Sequence, residues 1–369
     1  MRVLYGVNGE GMGHATRSQV VIDHLLERHD VRVVASGAAY RYLSERLPKV
    51  KQVFGPTFAM GDGQIQRFQT VVQTARHARN ELPAALRLWV AEVRDWRPEV
   101  VITDFEPLAA LFARVTRTPL VAVDNINMLD RCRHDRHILA HEREDFLLAR
   151  GVVRRMVPGA VDYIVLTFFR PPLARRRTTL VPPIVRPEVA GATSVSGDHL
   201  VVYSSGERQL LDALRATGMR CLVYGMRGGP EKAVVDGKLE LRPPSAEGFV
   251  EALRTARAVV TGGGFSLLSE AVYLRKPVLS VPLHGQFEQV LNARYLDRLG
   301  YGMNAPEVTP AALDRFLARL PDYERQLAGY DQHGNAVTLR RIEESTLAAA
   351  GAPPRELRSE RRAARSAAR

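Results

Sequence analysis

The chain has 369 residues, of which 46% are hydrophobic and 25% charged, with two cysteines and a formal net charge of +12. This length suits two α/β domains better than a single core, and the composition excludes a disordered chain. No apolar run is long enough to cross a bilayer, the opening Met1-Arg2-Val3-Leu4-Tyr5 leads straight into structure so that no leader is expected, and Cys132 and Cys221 are too few for a disulfide framework. A cytoplasmic protein is expected, with peripheral attachment at the inner face of a membrane left open.

Apolar runs of strand length recur from the first residue, at 2–7, 31–36, 99–104, 120–125 and 162–168. Each precedes an amphipathic stretch, the pattern of a parallel sheet covered on both faces. A long helical region is expected over 64–96, interrupted near Pro83. The proline-rich stretch 171–197 lacks periodicity and reads as a linker. The pattern then restarts, with strands at 199–204, 220–224, 258–261 and 277–281 and helices at 207–217 and 246–254. Residues 310–350 are helical in pattern and could cross back onto the first half. The expected division is a Rossmann-like unit 1–170, the linker 171–197, a second Rossmann-like unit 198–335, a helix 336–352 and a tail 353–369. The tail holds six Arg and two Glu, which is +4 and leaves +8 elsewhere. Such basicity favours an anionic partner: a nucleotide sugar, an anionic membrane surface or nucleic acid. No nucleic-acid module appears, so nucleic acid is not expected.

In two Rossmann-like units, ligands belong at the carboxyl ends of the strands. The first strand runs into Gly9-Glu10-Gly11-Met12-Gly13-His14 and then a helix. Such a turn exposes amides at a helix N-terminus, but it also fits dinucleotide binders. Those want an acid at the end of the second strand, and Val34-Ala35-Ser36-Gly37 has none. His14 could accept a proton at neutral pH, or merely cap or pack. Asp104 ends its strand on the same rim, where it could fix the imidazole tautomer or cap the helix from Pro107; Asp124 is a competitor one strand on.

The most telling segment is Val259-Val260-Thr261-Gly262-Gly263-Gly264-Phe265-Ser266, followed by Glu270 about one turn into a helix. A strand, three glycines and a helix start make a diphosphate cradle, to which Ser266 adds a hydroxyl. Glu270 could take a ribose diol if a nucleotide lay along the loop. Glu288, Gln289 and Asn292 follow the next strand and could hold a sugar. Ser205 is a further candidate phosphate contact, and Arg242 a candidate for the base-binding edge. His134, His137 and His141 have a spacing open to zinc, though a solvated helix face explains them better. Trp89 and Trp96 read as core rather than as an acceptor pocket.

The stretch from Gly262 to Gly300 resembles the donor-binding region of the UDP-glycosyltransferase superfamily, of the family 1 and family 28 C-terminal type. Gly-Glu-Gly-Met-Gly-His, Asp104-Phe105-Glu106 and Gly-Gly-Gly-Phe-Ser are most similar to a bacterial and archaeal branch of undefined substrate. The resemblance implies the GT-B fold, an α/β pair of Rossmann-like domains around a cleft, the first for acceptor and the second for donor. It implies an inverting glycosyltransferase that moves a sugar from a nucleotide-diphosphate donor, a UDP-sugar by expectation, to a hydroxyl. The acceptor stays open among lipid-linked sugars, natural products and polysaccharides. By the same resemblance His14, after Gly13, is the base and Asp104 its support. Gly264 and Ser266 hold the diphosphate, Glu270 the ribose, and Glu288 with Gln289 the sugar. No cofactor beyond the donor, and no metal, is expected. Two departures stand out: Gly262 occupies a place where many relatives have His, and Ala15-Thr16-Arg17-Ser18 replaces the usual Pro after Gly-His. A sugar-nucleotide epimerase and a non-catalytic nucleotide-sugar binding protein are the alternative readings.

Overall fold

The computed structural model describes residues 1–53, 60–61, 64–65, 93, 95–140, 142–204, 208–226, 228–283 and 285–351. In chain order the first half gives β1 (Arg2–Val7), β2 (Asp30–Ala35), β3 (Val50–Gln52), β4 (Met60–Gly61), β5 (Gln64–Ile65), β6 (Val100–Asp104), β7 (Leu120–Asp124), β8 (Asp162–Leu166) and β9 (Thr178–Val181). Seven of these form a sheet of order β3-β2-β1-β6-β7-β8-β9, and β4 pairs with β5 alone. Every ladder in the seven-stranded sheet is parallel. Such strands are covered on both faces, which is why their sequences are unbroken apolar runs. The Val100–Asp104 strand, for example, is buried at all five positions.

The second half repeats the plan with β10 (His199–Tyr203), β11 (Arg220–Tyr224), β12 (Val234–Asp236), β13 (Leu239–Leu241), β14 (Ala258–Thr261), β15 (Val278–Ser280) and β16 (Gly302–Asn304). Their order is β12-β13-β11-β10-β14-β15-β16, parallel except for the β12–β13 pair. In each sheet the chain reverses its direction of progress beside the first strand, between β1 and β6 and between β10 and β14. Those switch points open a crevice at the carboxyl ends of the strands.

The strands foreseen from sequence are present to within two residues at either end. The stretch expected as a linker is partly sheet: Thr178–Val181 is the edge strand β9, in register with Tyr163 to Leu166. Its four residues sit between arginines and prolines, composition that suits an edge and disguises a strand. Of the expected helical region 64–96, Gln64–Ile65 is strand and residues 93, 95 and 96 are helical. The rest of that region, with Trp89, and the tail 353–369 lie outside the described residues. Trp96 is core, its indole N–H donating to Asp30 at 2.9 Å and Arg32 stacked on its ring.

The last helix, Ala336–Ala350, returns to cover β6 and β7 of the first sheet. Its Thr338 hydroxyl donates to the Pro182 carbonyl (2.8 Å), Ser345 to Asp162 (2.9 Å), and Glu343 receives His24 and Arg28. Thr338, Ile342 and Thr346 form its buried stripe, one turn apart.

Candidate active site

The β1 switch point carries the first cluster. Val7 and Asp104 are register partners at the ends of β1 and β6, so Asp104 stands beside the turn that leads into the Met12–Leu26 helix. His14 lies in the first turn of that helix, and its Nδ1 is 2.9 Å from Asp104 Oδ1. Arg17 and Ser18, three and four residues on, fall on the same helix face. Arg17 grips the carboxylate with two prongs, Nε to Oδ2 at 2.7 Å and Nη2 to Oδ1 at 2.5 Å, and Ser18 Oγ donates to Oδ2 at 2.9 Å. Asp104 is 1% exposed. Asn8 braces the strand end, donating its amide to the Phe105 carbonyl at 3.0 Å, where Phe105 holds a left-handed φ of 54°.

Arg17 Nη2 also lies 2.8 Å from His14 Nδ1, so both groups crowd one carboxylate oxygen. Both cannot donate to each other, and the oxygen carries the negative charge. Donation of Nδ1–H to Asp104 satisfies both donors and leaves Nε2 with its lone pair outward. Burial would push Asp104 up, but Arg17 and His14 overcome it and hold the carboxyl well below its ordinary range. Burial and then the Arg17 guanidinium hold His14 below its ordinary value, against the pull of Asp104. Asp124, the competitor, is turned away: both its oxygens take donors from Asn127 at 2.6 Å, and burial pushes it up to about 7.

The second cluster sits on the β14 switch point. Gly262, Gly263 and Gly264 lead into the Phe265–Tyr273 helix, whose N-cap is Gly264 with no side-chain cap. The Met12–Leu26 helix likewise starts at a glycine, Gly11, with no side-chain cap. Uncapped N-termini leave amides unpaired and carry positive partial charge. The two are in contact: Ser266 Oγ donates to the Gly13 carbonyl at 3.0 Å, Arg17 lies 6.0 Å from the Phe265 ring, and Phe265 stacks on Phe168. A β-carbon at Gly13 would stand 2.8 Å from Ser266 Oγ, so a larger residue there would push that hydroxyl from its place.

The loop is braced from behind. Gln289 Oε1 accepts the amides of Gly263 (3.3 Å) and Leu283 (3.2 Å), and Asn292 bridges the Gly263 carbonyl and Glu288 Oε1 at 3.1 and 2.8 Å. A β-carbon on Gly263 would run into the Gln289 carbonyl. Burial pushes Glu288 up to about 7, against Arg17 and Asn292. Glu288 thus meets the field of the first cluster from the opposite side.

Several expectations need correcting in detail. Glu270 does not face an open cleft: it is 5% exposed and both its oxygens are held by Arg186, at 2.6 and 2.7 Å. Gln289 braces the loop, and the Ser266 hydroxyl donates to the Gly13 carbonyl. Arg242 pairs with Glu240 at 2.8 Å and bonds to none of the other candidates among the described contacts. Residues 133–135 are irregular and 136–140 are turn rather than helix, and His134 lies between Tyr295 Oη (3.0 Å) and the Met128 carbonyl (3.2 Å). Ser205 and His141 lie outside the described residues. Arg17 and Arg186 were missed. The signal for Arg17 was a charge set among Ala15, Val21, Ile22 and Leu25 on a buried helix face, which only a paired charge tolerates.

A family profile described as glycosyl transferase family 1 matches residues 1–321. The chain is similar to an uncharacterized glycosyltransferase of Methanosarcina acetivorans, 23% identical over 348 residues, covering 84% of this chain and 87% of that one. Among solved structures it is similar to the calicheamicin glycosyltransferase CalG4 (17% identity, 94% and 98% of the two chains, TM-score 0.63). It is also similar to the spinosyn rhamnosyltransferase SpnG (17% identity, 93% and 100%, TM-score 0.62). With two parallel sheets meeting at their switch points in the GT-B manner, the chain belongs to glycosyl transferase family 1 and is a glycosyltransferase.

Proposed function

We propose that the protein transfers a sugar from a nucleoside-diphosphate donor to an acceptor hydroxyl with inversion at the anomeric carbon. The observation that carries this reading is the meeting of two uncapped helix N-termini, one bearing the His14–Asp104 dyad and the other the glycine loop, joined by the Ser266–Gly13 bond. A base and an anion cradle on opposite walls are what in-line displacement requires.

In this reading His14 Nε2 takes the acceptor proton as the new oxygen–carbon bond forms. The bond from the anomeric carbon to the leaving phosphate oxygen breaks with its electron pair, and the diphosphate departs as an anion. The amides at Gly264–Phe265 and the helix dipole stabilise that charge without rearranging. Asp104 holds Nδ1–H and stabilises the imidazolium as it forms. Glu288, kept near neutrality by burial, is suited to meet sugar hydroxyls as donor or acceptor. The donor base is either uracil, as first expected, or thymine: SpnG has been seen with thymidine diphosphate, and a Phytolacca americana enzyme of similar fold with UDP-2-fluoroglucose. The acceptors named for CalG4 and SpnG favour a natural product here.

The test is incubation with UDP- and TDP-sugars of known anomeric configuration and a panel of hydroxyl acceptors, with the product linkage read by proton NMR. An inverted linkage is expected. Retention, or free sugar in place of a conjugate under every acceptor, would overturn the reading.

A further inference from the structure

We propose that the Arg143–Met156 helix is a docking surface for an anionic membrane, laying an aliphatic row among the acyl chains with its arginines at the headgroups. Phe146 and Val153 are the residues of this helix buried in the core. On the opposite side stand Leu147, Leu148 and Val152, all between 47% and 59% exposed. Leu148 and Val152 are one turn apart and form a single ridge. Arg154 and Arg155 follow Leu147 and Leu148 by two turns, so each leucine row runs into a guanidinium. The acids Glu144 and Asp145 are confined to the first turn, and from Phe146 to Met156 there are three Arg and no acid.

A second segment brings like chemistry alongside. Residues 170–177 carry four Arg and no acid, with Leu173 46% exposed. Arg150 of the helix and Arg175 of this segment meet on one oxygen, Asp130 Oδ1, at 3.3 and 3.0 Å. Arg154, Arg155, Arg176 and Arg177 are exposed, and among the described residues no carboxylate pairs with them. Exposed aliphatic side chains beside unpaired cations are the make-up of a helix that lies in a lipid interface, where each arginine near an anionic surface adds attraction. Charge disfavours the other occupants at hand. A second copy would set this arginine-rich face against itself, and the tail 353–369, with six Arg and two Glu, carries the same sign. A folded acidic partner would want a pocket or an aromatic anchor, and a convex leucine ridge offers neither. Phe146 packs on Phe287 (ring centroids 5.4 Å apart), which opens the helix that bears Glu288. The ridge therefore lies beside the seam between the halves, and docking brings that seam close to the headgroups.

The docking surface does not depend on the donor reading, and its failure would leave that reading in place. Flotation of the full-length protein with vesicles of phosphatidylcholine, alone or with equal parts phosphatidylglycerol, tests it. Binding to the anionic vesicles only is expected, and it should fall as salt rises past about 0.15 M. Leu148→Gln with Val152→Gln, and separately Arg154→Gln with Arg155→Gln, should each weaken partitioning by about tenfold. All four positions are exposed, so both variants should melt with the native protein. Should the first melt lower, the arginine pair alone decides. Equal binding to neutral vesicles overturns the proposal. Native binding by folded variants overturns it too, and shifts the contact to another basic segment. No binding to either vesicle also overturns it, as does a dimer in light scattering that Leu148→Gln with Val152→Gln dissolves.

Discussion

Two buried carboxylates, Asp104 in the first half and Glu270 in the second, each hold an arginine by a two-pronged bond, at 2.5 and 2.7 Å in one and 2.6 and 2.7 Å in the other. Around Asp104 the arginine comes from the same helix as His14, so guanidinium and imidazole reach the same oxygen side by side. Around Glu270 the arginine comes from another segment, 84 residues away in sequence, and among the described residues no third side chain bonds to it. One pair keeps a titratable partner with an outward face; the other does not. An acid at the expected place on a switch-point helix is thus only half of a site, and the group that reaches it first decides what it can do.

The largest effect that would break the comparison is loss of the base. If the proposed roles hold, His14→Ala should lower turnover by about 10²–10⁴-fold with donor affinity little changed, since the proposed nucleotide site lies on the other half. Single-turnover assays beside donor titrations check it, and near-native turnover would remove His14 from its role. Next comes a matched pair. Asp104→Asn leaves Arg17, itself 5% exposed, without the carboxylate it grips and should cost about 3–5 kcal/mol of stability. Glu270→Gln should cost less, because the Arg186 side chain is 16% exposed and can relax toward water. Urea unfolding of both variants ranks them, and the opposite order would make Glu270 the better buried acid.

How much of this was legible beforehand follows the same division. Both sheets were readable because parallel strands covered on two faces are continuous apolar runs, and Val100–Asp104 or Ala258–Thr261 hardly admit another reading. The three-residue edges, Val50–Gln52, Val234–Asp236 and Gly302–Asn304, were not, since so short a strand has no period. His14 and Asp104 were legible because strand ends and glycine turns mark the rim. The partners of the carboxylates were not, because a guanidinium arriving from Arg17 or Arg186 depends on side-chain direction, which spacing alone does not give.

A smaller effect sharpens the first cluster. His14 protonates less readily than an ordinary histidine because of burial and the Arg17 charge, and in the proposed role of base it would work only when neutral. Asp104, Asp124 and Glu288 also bear on this cluster, and their charge opposes that of Arg17. Removing the positive charge in Arg17→Gln therefore raises the imidazole pKa, and the acid limb of the kcat/KM profile should move to higher pH. A loss of rate with an unmoved limb would make Arg17 a packing residue. Smallest of all, Ser266→Ala removes the bond to Gly13 and should cost about 1 kcal/mol, read as a slight fall in melting temperature.

Because the Ala336–Ala350 helix returns to the first sheet, the backbone passes between the halves twice, near Val185 and near Asn335, and the side chain of Asn335 ties the two passages together. A single thread would let one half swivel freely on the other. Two passages tied side by side leave fewer directions in which one half can turn on the other than a single passage would.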